Sequence, residues 1–305
     1  MPTFNPGLVH APITPFKADR KIDFGLFENV IAFHLRHGAQ ALAVQMHVGE
    51  SVSLSDAEQR ELLEFTLRQV KGRVPVIAHT SDAGTQIAAD RARHAQDAGA
   101  AAVIATTPYY WTPPPAMVIE HLSRIGSAVS IPFYVFHTPD ELAATKLSAE
   151  TIVKIIERVP NFAGLVDASH QWQLMIDTVS ASWRVRPEFQ LISGTEYMVS
   201  AGAIGATGMF TSLAAVAPKL VKRLYDVCRT EKYFDARKDQ ESVAELRQAV
   251  KRAGGIEALK GAMRVMGRDC GTTRPPLDAL DAKRYEKLAA ELNAMAFMKD
   301  EPKGW

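Results

Sequence analysis

Only two cysteines occur in 305 residues, Cys228 and Cys270, far apart and in no metal-like spacing. Free thiols in a reducing compartment follow from that scarcity, and a disulfide framework is excluded as the source of stability. Net charge is almost absent, with 35 basic side chains against 34 acidic ones and a formal +1. Such a balance gives no reason to expect nucleic acid or an anionic membrane as a partner. No apolar run approaches the length that crosses a bilayer. The opening residues, Met1-Pro2-Thr3-Phe4-Asn5-Pro6, offer neither the basic nor the apolar region of a signal peptide. A cytoplasmic protein is expected. No Gly-x-Gly-x-x-Gly follows the first strand, which disfavours a dinucleotide enzyme, and no cofactor is expected.

What the chain does have is alternation. Short runs rich in Val, Ile or Phe are read as strands at Leu8–Ile13, Ala41–Met46, Val74–Ala78, Ala102–Thr106, Ile131–Phe136, Phe162–Val166, Phe189–Ile192 and Ala206–Phe210. Amphipathic segments such as Asp56–Val70 and Thr85–Ala98 lie between them. Strand alternating with helix implies a parallel sheet, and eight such strands imply a closed (β/α)8 TIM barrel. Three Ala/His-Gly-Ala turns, centred on Gly38, Gly99 and Gly202, each lead into a strand. Glycine there can end a helix in the left-handed conformation. Residues 1–229 are assigned to the barrel. Residues 230–305 are assigned to a C-terminal helical extension of about three helices packed on it.

Active sites of this architecture sit where strands end and the following loops begin. Polar residues at those places are His47 and Glu50; His79, Ser81 and Asp82; Thr106, Thr107, Tyr109 and Tyr110; Tyr134 and His137; Asp167 and His170; Ser193, Thr195 and Glu196; and Thr207, Thr211 and Ser212. Four of the nine histidines therefore fall on one rim. Each could be a hydrogen-bonded loop residue, or an acid, base, anion partner or metal ligand. Gly49-Glu50-Ser51 precedes a helix, whose first amides, with a protonated His47, would suit a carboxylate. No lysine stands at the end of strands two to eight.

Several segments, in order, resemble the dihydrodipicolinate synthase / N-acetylneuraminate lyase family. They are Leu8–Phe16 with its Thr14-Pro15, Gly49–Ser55, Thr106–Tyr110, Ile131–Tyr134, Gly164–Ser169 and Ser193–Glu196. The resemblance runs from about Leu8 to about Lys260. It implies the barrel fold, a lyase (aldolase or dehydratase type) acting on a small oxo or hydroxy carboxylic acid, and a homotetramer made of two tight dimers. It also implies that Tyr134 is a general acid/base and that Tyr110 reaches a neighbouring subunit. Family enzymes form a Schiff base on a lysine at the end of strand six; here that position is Val166, which has no nucleophilic atom. Met46-His47-Val48-Gly49-Glu50 replaces the family's Gly-Thr-Thr-Gly-Glu, and Val135 stands where asparagine is usual.

The expected site therefore has Tyr134, His47, His137 and Glu196 as catalytic groups. Gly49, Glu50, Thr107, Tyr110, Val166, Asp167, Gly194 and Thr207 are expected to bind a small carboxylate substrate. Two alternatives stand beside a lyase without a Schiff base. One is a non-catalytic homologue that binds a small carboxylate. The other is a metal-dependent lyase or hydrolase using the mouth histidines with Asp167 or Glu196.

Overall fold

Each of the eight apolar runs becomes a strand, and each strand pairs in parallel with its neighbour in chain order until the last closes on the first. The computed structural model describes residues 4–138, 142 and 145–305. The first half of the barrel is β1 (Leu8–His10), α1 (Phe24–Arg36), β2 (Ala41–Val44), α2 (Asp56–Val70), β3 (Val76–His79), α3 (Thr85–Ala98), β4 (Ala102–Thr106) and α4 (Pro115–Ser127). The second half is β5 (Phe133–His137), α5 (Ala149–Arg158), β6 (Phe162–Asp167), α6 (Trp172–Val185), β7 (Gln190–Ser193), α7 (Met198–Ile204), β8 (Gly208–Thr211) and α8 (Pro218–Arg229).

Strand alternation divides the core in two. On β5, Phe133 and Val135 point outward into the layer of helices, whereas Tyr134 and Phe136 point into the barrel with Val9, Ile77, Ile104 and Val166. This two-residue period governs everything said below about the site.

Helix ends fall where local chemistry puts them. Ser55 and Glu58 form a capping box at the start of α2. Gly38 and Gly99 adopt φ of +88° and +100° beyond α1 and α3, as expected for left-handed helix ends. The third turn differs. Gly202 lies inside α7, where an added Cβ would meet the Tyr233 ring at 2.8 Å. The left-handed residue there is Gly205, with φ of +116°.

After the barrel come α9 (Arg237–Ala253), α10 (Ile256–Val265) and α11 (Ala282–Ala294). Buried polar ties join them to the barrel. Arg268, wholly buried, donates to the Ala215, Val216 and Pro302 carbonyls. Lys260 Nζ donates to Glu50 Oε1 at 2.6 Å. No helix among the described residues is long and apolar enough to cross a membrane.

Candidate functional site at the barrel mouth

Two adjoining cavities open at the C-terminal end of the strands, and His47, Phe136 and Leu142 line both. The larger, of about 290 Å³, is bounded on its polar side by His79, Ser81, Asp82, Arg91 and Tyr109. The smaller, of about 120 Å³, is bounded by Gly194, Thr195, Glu196, Thr211, Ser212 and Arg247.

His47 begins a 3-10 turn that reaches Gly49, whose N–H bonds Met46 O at 2.8 Å. The two amides before it, of His47 and Val48, precede the first hydrogen bond of the turn. Burial lowers the proton affinity of the His47 ring, against the pull of the Glu50 carboxylate. Burial thus works against the protonated His47 expected from the sequence.

His79 and Ser81 are coupled. Ser81 Oγ accepts the Thr106 N–H at 2.8 Å and lies 2.7 Å from His79 Nε2. With the other ring nitrogen donating to the Gln45 backbone, Nε2 of the neutral ring is the acceptor and the serine proton goes to the imidazole. The hydrogen bond of the ring to the Gln45 backbone favours its protonated form. Burial, then the Arg91 charge and His47, outweigh this and hold the pKa at about 4. His79 is thus a neutral acceptor at physiological pH. Gln45 adopts φ of +62°, a conformation costly for a non-glycine residue.

Several expected site residues lie elsewhere. Tyr134 is the second residue of β5, and its hydroxyl donates toward Phe4 O and Gln190 Oε1, each at 3.0 Å. Gln190 begins β7 and Phe4 precedes β1, so the phenol sits at the opposite, N-terminal end of the barrel. The inward residue of β5 at the mouth is Phe136, the register partner of Val166. His137, next in the strand, points outward. Its Nδ1 lies 2.8 Å from Asp167 Oδ2, both groups are buried, and neither lines either of the two mouth cavities. Asp167 also accepts Ser169 N and Oγ.

Thr207 precedes β8 at the N-terminal end, because that strand starts two residues later than an apolar count places it. Thr107 spends its hydroxyl on Thr145 O at 2.6 Å. Tyr110 is 97% exposed, with φ of +82°, and lines neither cavity. Glu50 is buried and committed to Lys260 Nζ and Arg274 N, so it anchors the turn and does not face a ligand. Gly49 is buried beneath the turn and its carbonyl accepts Thr14 Oγ1.

Glu196 and Gly194 border the smaller cavity. Glu196 Oε1 accepts Thr211 Oγ1, Ser212 N and Leu213 N, and Oε2 accepts Arg247 Nη1. A carboxylate with four donors is a fixed post rather than a mobile base. At Gly194 a Cβ would meet Ala168 N at 2.8 Å, so the backbone passes too close for a side chain. Val166 is fully buried among the inward-facing residues.

Arg91 and Arg247 border the cavities from helices α3 and α9, and no strand-end rule could have found them. Phe136 was findable from the alternation of β5. Among the described residues no three His, Cys, Asp or Glu side chains gather as a metal ion would need. Lys146 reaches the rim, where Nζ donates to Thr138 O at 2.8 Å.

The sequence profile described as the dihydrodipicolinate synthetase family matches residues 5–295. The chain belongs to that family. An uncharacterized DapA-like lyase of Halobacterium salinarum is 31% identical over 294 residues, covering 94% of this chain and 92% of that one. The 4-hydroxy-tetrahydrodipicolinate synthase of Methanopyrus kandleri is 30% identical, over 96% of this chain and 97% of that one. The crystal structure of dihydrodipicolinate synthase from Aquifex aeolicus superposes with a TM-score of 0.89 at 25% identity, over 95% of this chain and 97% of that one. These relatives place the chain in a family of lyases of (β/α)8 form.

Proposed function

We propose that this protein is a lyase that handles a small oxo or hydroxy carboxylic acid without forming a Schiff base on lysine. The observation that carries the reading is the pair at the mouth of β5 and β6, Phe136 beside Val166, both inward and both without a reactive atom. The acid/base work falls instead to His79 and Ser81, with His47 across the same cavity.

The geometry supports a definite proton path. Ser81 Oγ donates to His79 Nε2 and accepts from Thr106 N, which leaves one lone pair for a substrate hydroxyl on the cavity side. As a carbon–carbon bond breaks in the retro-aldol direction, the substrate hydroxyl proton passes to Ser81. The serine proton passes to His79 as the carbonyl forms, and the bonding electrons leave on the fragment that becomes an enolate. Protonated His79, a strong acid in this setting, returns the proton by the same route to the enolate carbon.

A homo-oligomer, with two tight dimers forming a tetramer, is part of this reading. Tyr110 and Trp111, 97% and 53% exposed, give the monomer an aromatic patch suited to a partner surface. Sedimentation at micromolar concentration checks it, and a monomer there would contradict it.

Turnover of a panel of hydroxy and oxo acids, followed by proton NMR, tests the chemistry. Ser81→Ala and His79→Gln are each expected to lower kcat by about 10²-fold or more, the usual worth of a positioned acid/base group. A panel in which no acid is converted, or variants that convert it at the wild-type rate, would overturn the reading.

A further inference from the structure

Each lobe of the mouth carries one arginine, and their surroundings are unlike. Arg91 in the larger lobe binds Asp56 Oδ1 through Nε at 3.0 Å and Ser81 O through Nη1 at 2.8 Å. Its Nη1 also lies 3.2 Å from Asp82 Oδ2. Two carboxylates face that one guanidinium and more than offset its charge.

Arg247 is different. Among the described residues its guanidinium makes one hydrogen bond, from Nη1 to Glu196 Oε2 at 2.8 Å. The guanidinium carbon lies over the Tyr197 ring, 5.9 Å from its centre. Nε and Nη2 keep their N–H donors, in the fork that matches a planar carboxylate. The side chain is 29% exposed and borders the smaller lobe beside Thr195 and Ser212. Glu196 does not cancel this charge completely, because its other oxygen is already held by three donors: Thr211 Oγ1, Ser212 N and Leu213 N.

We infer that Arg247 reads a second carboxylate on the substrate, so that the acid this site selects is a dicarboxylate spanning both lobes. The distal carboxylate lies on Arg247, with the reacting carbons over Phe136, which lines both lobes. This rests on the lyase reading above. It adds what that reading leaves open, the charge at the far end of the substrate. Helix α9 of the C-terminal extension thereby completes the mouth, a role no barrel strand fills.

The test is calorimetric titration of the intact protein with a matched pair of acids, 2-oxoglutarate and 2-oxopentanoate. They share a five-carbon chain and differ in carboxylate against methyl at the distal end. The wild type is expected to bind 2-oxoglutarate about tenfold or more tightly, as one charge-assisted contact allows. Added salt should shrink the ratio. Arg247→Gln, which can still donate to Glu196, should bring the ratio near one while leaving 2-oxopentanoate binding as it was. Arg247→Lys, which keeps the charge and loses the fork, should fall between. Thermal unfolding of each variant verifies that it is folded. Equal wild-type affinities, no binding of either acid at millimolar concentration, or a preference that survives Arg247→Gln would overturn the inference. Binding is read whether or not the acid turns over. Failure of the lyase reading appears separately, as a lysine adduct or as an acid bound and returned unchanged.

Discussion

Phe136 and Val166 are register partners on β5 and β6, side by side on the inner face of the barrel where the strands open to the mouth. A tyrosine able to work beside residue 166 would have to stand at 136, and the chain has phenylalanine there. On the proposed reading, a position without a nucleophile and one without a proton carrier thus adjoin. That is the pattern expected if the chemistry has moved to other groups, and the His79–Ser81 couple lies across the adjoining cavity.

Tyr134→Phe should leave acid binding and turnover at the mouth unchanged. The hydroxyl serves Phe4 O and Gln190 Oε1 at the far end of the barrel, and burial pushes its pKa up, away from neutral. Removing it should cost about 1 kcal/mol of stability, the usual net worth of a buried neutral hydrogen bond. Urea unfolding and steady-state kinetics on the same variant check both halves. A large loss of kcat with little loss of stability would contradict the placement.

Stability should fall steeply on mild acidification. Burial holds His34 at about 3, His79 and His121 at about 4, and His10 well below its ordinary value. Unfolded, these rings take protons below about 6.5. The unfolded state therefore binds more protons between about pH 6.5 and 4, and stability is full above that window and lost as pH falls through it. Each ring contributes about 1.4 kcal/mol per pH unit within it. Glu58, held at about 2 by Arg274, adds its own loss only from about pH 4.5 downward, where the unfolded carboxylate takes a proton, so the upper part of the window reports the histidines. A melting temperature that is constant from pH 7 to 5 would contradict the burial of these rings in neutral form.

The barrel mouth and the C-terminal extension should be coupled energetically through Glu50 and Lys260. Glu50, at φ of +57°, accepts Lys260 Nζ and Arg274 N, and Lys260 also donates to Thr272 O. Burial lowers the Lys260 pKa, and the Glu50 charge opposes the shift. Lys260→Met strands a buried carboxylate and should cost about 3–5 kcal/mol. Adding Glu50→Gln removes that charge and should return part of the loss, a coupling that a double-mutant cycle measures. A single variant that costs less than about 1 kcal/mol would show that the pair is not isolated from water.

Much of the fold was legible because it rests on local periodicity. The helices Asp56–Val70 and Thr85–Ala98 coincide with their sequence limits, and eight strands close in chain order. The candidate site was less legible because facing depends on a two-residue period and strand limits shift by one or two positions. Placing β5 at Phe133–His137 instead of Ile131–Phe136 moves the mouth from Tyr134 to Phe136 and turns His137 outward. Placing β8 at Gly208–Thr211 drops Thr207 to the opposite end. Arg247 was invisible for another reason: it arrives from α9, about fifty residues after the Glu196 it clamps, and only tertiary packing brings them together.

The central claim is that no lysine of this protein condenses with a 2-oxo acid at the mouth. It is tested most directly by incubating the intact protein with pyruvate and borohydride and mapping any adduct by peptide mass spectrometry. The account predicts no reduced pyruvate adduct on any lysine, Lys146 and Lys260 included. An adduct on either, formed with pyruvate and absent without it, would contradict the account and return the protein to Schiff-base chemistry.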